Sequence, residues 1–247
     1  ALMLQTDDCE ALVGRIIRRS GAEATVVETC LAILGDPDAR KTKEIEDAIA
    51  KTYAAWAGKP DPENRAAQLL SAVCRDRKFE PRIRAALDRY RARPPSDIPR
   101  VMNTALPRTL PVKNWVCFFL ARTLGNLGDV QSVDALLAVL EREPTEAANG
   151  YPDPVEPGVL FLHNGLTPCY RAAAAWALGR IGDRRAAATL LKVVGNLENA
   201  PDTRHAAAEA LGRLADPGSA EAIRRLAADY PEVSTRKVLL AACAGKP

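Results

Sequence analysis

Aromatic residues are scarce, at 5% of the 247-residue chain. Sandwiches and barrels draw on β-branched and aromatic strands, so this scarcity, set beside abundant alanine, disfavours an all-β fold. Histidine is scarcer still, with only His163 and His205. The six cysteines (Cys9, Cys30, Cys74, Cys117, Cys169 and Cys243) include no C-x-x-C pair. A zinc site needs clustered ligands at short spacings, so no metal or cofactor site is expected. Nothing in their spacing pairs the thiols, and their place in helical patterns favours small buried hydrophobes over disulfide staples. A surplus of one charge is also missing: 34 basic against 31 acidic side chains leave a net charge of +3. That argues against global affinity for nucleic acid while leaving room for a local basic patch. No apolar run approaches the roughly 20 residues of a membrane span. The first residues lack the sections of a signal peptide, and Ala1 in place of Met reads as a processing boundary. The compartment stays open, with the cytoplasm preferred.

What the chain does have is repetition. Cys117-Phe-Phe-Leu-Ala-Arg-Thr-Leu124-Gly-Asn-Leu-Gly-Asp129, Arg171-Ala-Ala-Ala-Ala-Trp-Ala-Leu178-Gly-Arg-Ile-Gly-Asp183 and Arg204-His-Ala-Ala-Ala-Glu-Ala-Leu211-Gly-Arg-Leu-Ala-Asp216 superimpose. Leu178 and Leu211 are 211 − 178 = 33 residues apart, and Leu124 and Leu178 are 178 − 124 = 54 apart. Arg236–Gly245 falls into step again, and Leu31-Ala-Ile-Leu-Gly-Asp36 echoes the same ending. A period near 33 marks a repeat architecture. Each copy reads as a helix pair. The first helix is Ala-rich and stops at a glycine able to take the left-handed turn. The aspartate then caps the second helix, and Pro37 and Pro217 occupy its first position. The second helix is amphipathic, as in Val133, Leu136, Leu137 and Leu140. One such pair cannot bury its apolar stripe, but stacked pairs can.

The pattern R-x-A-A-x-A-L-G-x-[IL]-G-D, followed by a helix with A-x-x-x-L-L, resembles the HEAT-repeat family, specifically HEAT-like repeats of the phycobilisome (PBS) lyase type. The resemblance covers Leu110–Pro247 well and Ala22–Trp56 loosely. Asn64–Arg93 has helical periodicity without a clean motif. The expectation is therefore an all-α protein, an α-α superhelix (HEAT-like solenoid) of about five helix pairs plus a terminal helix. Residues 1–92 would hold divergent N-terminal helical repeats, 93–111 a Pro-rich connector, and 112–247 the HEAT-like repeats with an insertion at 143–168, in one continuous solenoid.

Two local departures from the balanced composition single out candidate sites. The insertion carries Glu143, Glu146, Asp153 and Glu156 with no Lys or Arg between Arg142 and Arg171. It then runs into Val159-Leu-Phe-Leu162. Long irregular loops in repeat proteins often carry function, so Tyr151, Phe161 and His163 are candidate partner-binding residues. The other reading is that the apolar run folds back onto its own solenoid. The second departure is Arg75–Arg100, with nine basic against four acidic residues, a local balance of 9 − 4 = +5. Arg82, Arg84, Arg89 and Arg91 form the candidate basic patch. It would contact phosphates, or be a solvated helix face paired at i, i+4 as in Glu80–Arg84.

The repeats are also similar to those of deoxyhypusine hydroxylases, where a His-Glu dipeptide in several repeats binds two irons. The comparable position here is Arg204-His205-Ala206, with Arg171-Ala172 and Cys117-Phe118 in the sister repeats. One histidine without glutamate cannot build that site, which leaves His205 as a helix residue at a packing edge. No G-x-S-x-G, phosphate loop or paired-carboxylate motif is present. The sequence thus points to a non-catalytic scaffold that binds a protein through its concave face and the insertion, with self-association through the C-terminal helix. A lyase- or chaperone-like action on a client protein, as the repeat subtype implies, and nucleic-acid binding through 75–100 are the alternatives.

Overall fold

The computed structural model describes residues 12–39, 43, 47, 62–93, 112–142 and 169–244. Among them there is no strand. A first helix, α1, covers residues 12–19. The remaining helices are α2 (Glu23–Ile33), α3 (Pro62–Val73), α4 (Glu80–Arg91), α5 (Val112–Leu127), α6 (Val133–Arg142), α7 (Tyr170–Ile181), α8 (Ala187–Gly195), α9 (Pro201–Leu214), α10 (Ala220–Ala228) and α11 (Val233–Cys243). Helices α2, α3, α5, α7, α9 and α11 form one row, each packed on the next. Helices α4, α6, α8 and α10 form a second row, each packed on the first-row helix that follows it in the chain. Every second helix therefore seals the repeat after its own, and one apolar cluster runs from Val27 to Leu239. The all-α solenoid of helix pairs ending on an unpaired α11 is as expected.

The stretch without a clean motif, Asn64–Arg93, folds as the same unit, α3–turn–α4. Its Asp76 takes the part of Asp129 and Asp183. Each of these carboxylates accepts a hydrogen bond from the backbone N–H two residues on, at Lys78 (3.0 Å), Gln131 (3.0 Å) and Arg185 (2.9 Å). The capped element differs from expectation: each aspartate opens a three-residue 3-10 turn, and the α-helix continues from that turn. Asp216 makes no backbone cap and instead accepts from Ser219 Oγ at 2.6 Å.

The two glycines of L-G-x-[LI]-G-D have separate tasks. The second takes the left-handed turn, as at Gly182 (φ 80°), and Ala215 is held there at φ 45° in the copy that lacks it. The first sits inside the helix where neighbouring backbones nearly touch. A Cβ on Gly125 would lie 2.8 Å from Ala177 Cα, and one on Gly179 would lie 2.7 Å from Ala210 Cα. Real carbon–carbon contacts sit near 3.5–4.0 Å, so α5, α7 and α9 stack this closely only because glycine stands at those positions.

The arginine that opens the motif is buried. Arg171 donates to Leu140 O (2.8 Å) at the end of α6 and to Asn199 Oδ1 (2.6 Å). Arg204, one repeat on, donates to Leu197 O (2.6 Å), Asn199 O and the Glu232 carboxylate. Both guanidiniums satisfy carbonyls at or just beyond the end of a second-row helix, where no intrahelical donor remains and the dipole is negative.

Candidate interaction surface

Tyr151, Phe161, His163 and the whole insertion at 143–168 lie outside the described residues. The basic segment is largely described, and it is not an open patch. Arg82 donates to both oxygens of Glu28 (2.8 Å each) and to Asp36 Oδ2 (2.6 Å), tying α4 to α2 and the turn after it. The Glu28 hydrogen bonds, aided by Asp36, raise the Arg82 guanidinium above its ordinary value despite burial. Arg91 bonds Asp88 (3.1 Å) and reaches Ala138 O (3.3 Å) on α6. Arg84 forms the anticipated i, i+4 pair with buried Glu80 at 3.0 Å, and Glu80 also accepts from Ser132 Oγ at 2.6 Å. Arg89 is half-buried, with Nη2 enclosed and without a hydrogen-bond partner. Arg77 and Arg93 are likewise engaged, with Leu127 O (3.0 Å) and Glu63 (3.4 Å). Beside the i, i+4 pair of the solvated-face reading, the segment thus makes internal ties between repeats. The reason is that the matching carboxylates lie 46 to 54 residues upstream of Arg82.

His205 sits at the seam of α9 and α11, its Nδ1 3.4 Å from Thr235 Oγ1 and its Nε2 3.7 Å from Glu209. Among the described residues Cys30, Cys74, Cys117 and Cys169 are buried, Cys243 is half-buried, and none of the five forms a disulfide. Burial, with a smaller contribution from neighbouring charge, pushes Cys30 and Cys74 up to about 12. Among the described residues no three His, Cys, Asp or Glu side chains converge as a metal site would require.

One surface emerges that the sequence did not announce. Of the described aromatic rings, Phe79, Tyr90, Phe119, Tyr170 and Tyr230 are buried, while Trp115, Phe118 and Trp176 are only half-buried. These three share the outward face of α5 and α7. Trp115 stacks on Phe119 at 5.7 Å and Phe118 meets Phe119 edge-on at 5.3 Å. Arg122 lies 5.8 Å from the Phe118 ring centre and 5.7 Å from that of Trp176, and Arg180 lies 5.2 Å from Trp176. The result is a ladder of alternating rings and guanidiniums across two repeats. Its signal was present: Trp115, Phe118 and Arg122 follow i, i+3, i+7 spacing, as residues on one helix face do. Trp176 is also the positional equivalent of Arg122 one repeat on, at 122 + 54 = 176.

Helix pairs in fixed register, joined by a capped turn and sealed by the following pair, define an α-helical solenoid. More particularly, two stretches match known repeats: residues 160–243 match the HEAT repeats family and residues 116–142 the PBS lyase HEAT-like repeat. Among solved structures the chain is similar to human deoxyhypusine hydroxylase in complex with glycerol, at 17% identity and a TM-score of 0.30. That match covers 91% of this chain and 98% of the other. No curated protein matches this chain in sequence.

Proposed function

We propose that this protein is a non-catalytic HEAT-repeat scaffold that holds a protein partner. The observation that carries the reading is where the polar side chains of the described core are engaged. Arg82 with Glu28 and Asp36, Arg171 with Asn199, and Arg204 with Glu232 all join one repeat to the next. They build a stack, and a stack presents a long surface without needing a reaction centre. The contact regions proposed are the concave face and the insertion, with Tyr151, Phe161 and His163 as its contact residues. Self-association through α11 fits the exposure of Val233 and Leu240, each more than half open to solvent.

Replacing Asn149–Gly165 by a short flexible linker tests the insertion. Capture of the native partner, read by affinity isolation and mass spectrometry, should weaken while the helical circular-dichroism signal is kept. Unchanged capture removes the insertion from the interface. The match of 116–142 to a PBS lyase HEAT-like repeat favours a second reading, lyase- or chaperone-like action on a client protein. Absorbance on mixing with a bilin separates the two, since an unchanged spectrum removes the chromophore-handling version.

A further inference from the structure

The first helix is built inside out. Its side toward the protein carries Gly14, Ile17 and Arg18, while Leu12, Val13 and Ile16 face water at 50%, 42% and 57% exposure. We propose that α1 is a membrane-surface helix that docks the protein on an anionic lipid bilayer. The three aliphatic side chains would enter the acyl layer, and Arg15 and Arg19 would sit among the headgroups.

Three observations lead there. First, contacts with the rest of the protein fix the orientation of α1. Gly14 is buried, and a Cβ on it would strike Ala72 O at the end of α3. Arg18 Nη1 donates to Ala72 O (3.1 Å) and Val73 O (3.2 Å), and Ile17 packs against the apolar cluster. At about 3.6 residues per turn, these inward positions leave Leu12 and Ile16 at the centre of the outward face. Val13 then lies to one side, and Arg15 and Arg19 to the other. A helix packed for stability alone would bury its aliphatic residues and turn the arginine out. Second, the stripe is concentrated. Of the seven large apolar side chains exposed among the described residues, three stand on α1. Val130 and Leu197 stand singly on turns, and Val233 and Leu240 belong to α11. Contiguous exposed apolar surface marks an interaction site, whereas scattered residues do not. Third, the charge selects the partner. Residues 11–22 hold three arginines and no acidic residue. Arg15 and Arg19 are exposed and meet no carboxylate among the described residues. Leucine and valine are under-represented among protein hot spots, while acyl chains accept them without a shaped pocket. The α11 face of a second copy does not complement the stripe, because it presents Lys237 with Arg236 beside it. No helix among the described residues is long and apolar enough to cross a bilayer, so the contact is with its surface. Docking through α1 would hold the scaffold at a membrane whichever protein the scaffold binds.

The test is sedimentation of the full chain with large unilamellar vesicles at about 50 mM and about 300 mM NaCl. One set is phosphatidylcholine alone, and the other contains about one third phosphatidylserine. Binding to the anionic vesicles should be at least about tenfold tighter than to the neutral ones, and weaker at the higher salt. Arg15→Gln and Arg19→Gln should each weaken it about fivefold. Ile16→Ser, which keeps every charge and removes an apolar anchor, should weaken it by about the same factor. Val130→Ser, at an equally exposed aliphatic on the turn before α6, should change it less than about twofold. Melting curves check that each variant is folded. Absence of binding to anionic vesicles overturns the proposal, and so does equal weakening by Val130→Ser. Weakening by the arginine variants with none by Ile16→Ser also overturns it, since the stripe is then not inserted. A dimer in light scattering that Ile16→Ser dissociates, with no vesicle binding, assigns the stripe to a second copy instead. Vesicle binding and capture of the native partner are separate readouts, so the membrane surface can fail while the scaffold stands, and the reverse.

Discussion

Replacing Gly179 by alanine should destabilise the protein, although alanine is the better helix former. The added Cβ would lie 2.7 Å from Ala210 Cα and 2.8 Å from Ala210 Cβ. Ala210 is fully buried, and neither atom is the end of a flexible side chain. Relief requires α7 and α9 to separate by close to an ångström, and overpacking of this kind costs about 1–3 kcal/mol. The gain in helix propensity returns about 1 kcal/mol, so a net loss of up to about 2 kcal/mol is expected. Gly212, the equivalent glycine one repeat on, is the control. Its Cβ would meet Ala242 Cβ at 3.3 Å on the terminal helix α11, which can yield by a few tenths of an ångström. There the propensity gain dominates, and Gly212→Ala should stabilise by about 0.5 kcal/mol. Urea unfolding followed by circular dichroism gives both values from the midpoint at constant slope. A Gly179→Ala variant more stable than the parent by the full propensity gain of about 1 kcal/mol would refute close approach as the reason for this glycine. Equal losses at both sites would refute the assignment of the difference to the tightness of the two seams.

Arg82→Met removes the cation between Glu28 and Asp36, whose side chains are 7% and 3% exposed. Taking the guanidinium away from these two buried carboxylates should cost about 3–5 kcal/mol in the same unfolding experiment, and a loss under about 1 kcal/mol would contradict the described network. Ala215→Gly relieves the one non-glycine residue found at positive φ among the described residues, and should raise stability by about 1 kcal/mol. Arg185, by side chain first and backbone N–H second, holds the Asp183 carboxyl below the usual carboxylate range. Its contribution is therefore complete above the unfolded value near about pH 4 and disappears as pH falls through the native one. The stability gap between parent and Asp183→Asn should close on acidification, and a gap independent of pH would exclude the carboxylate as its source. Iodoacetamide at about pH 8 should label Cys243 fastest of the described cysteines. At about 12, Cys30 and Cys74 hold about one thiolate in ten thousand. Peptide mass spectrometry showing Cys30 labelled as fast as Cys243 would count against its burial.

The helix pairs were legible because their punctuation is local chemistry. A left-handed turn calls for glycine and a free N–H calls for an aspartate, so L-G-x-[LI]-G-D marks the same bend wherever it occurs. The α3–α4 repeat was legible only as a divergent one, by its helical periodicity, because its turn, Cys74-Arg75-Asp76, has no such glycine. There the carbonyls at the end of α3 are met by the side chains of Arg18 and Arg75. The basic stripe was only half legible: the Glu80–Arg84 pair follows from local spacing, while Glu28 and Asp36 answer Arg82 from another repeat. The ladder of Arg122 and Trp176 depends on register between copies 54 residues apart, which periodicity within one helix cannot reveal.

The glycine seams also distribute the mechanical give of the molecule. Between α5 and α7, and again between α7 and α9, a glycine backbone rests directly on the backbone and Cβ of an alanine. The α9–α11 seam is looser by about half an ångström. Under bending or tension the stack should hinge toward α11 before its middle yields. The rings and guanidiniums that straddle α5 and α7 are thus mounted like graduations on the stiff section of a ruler.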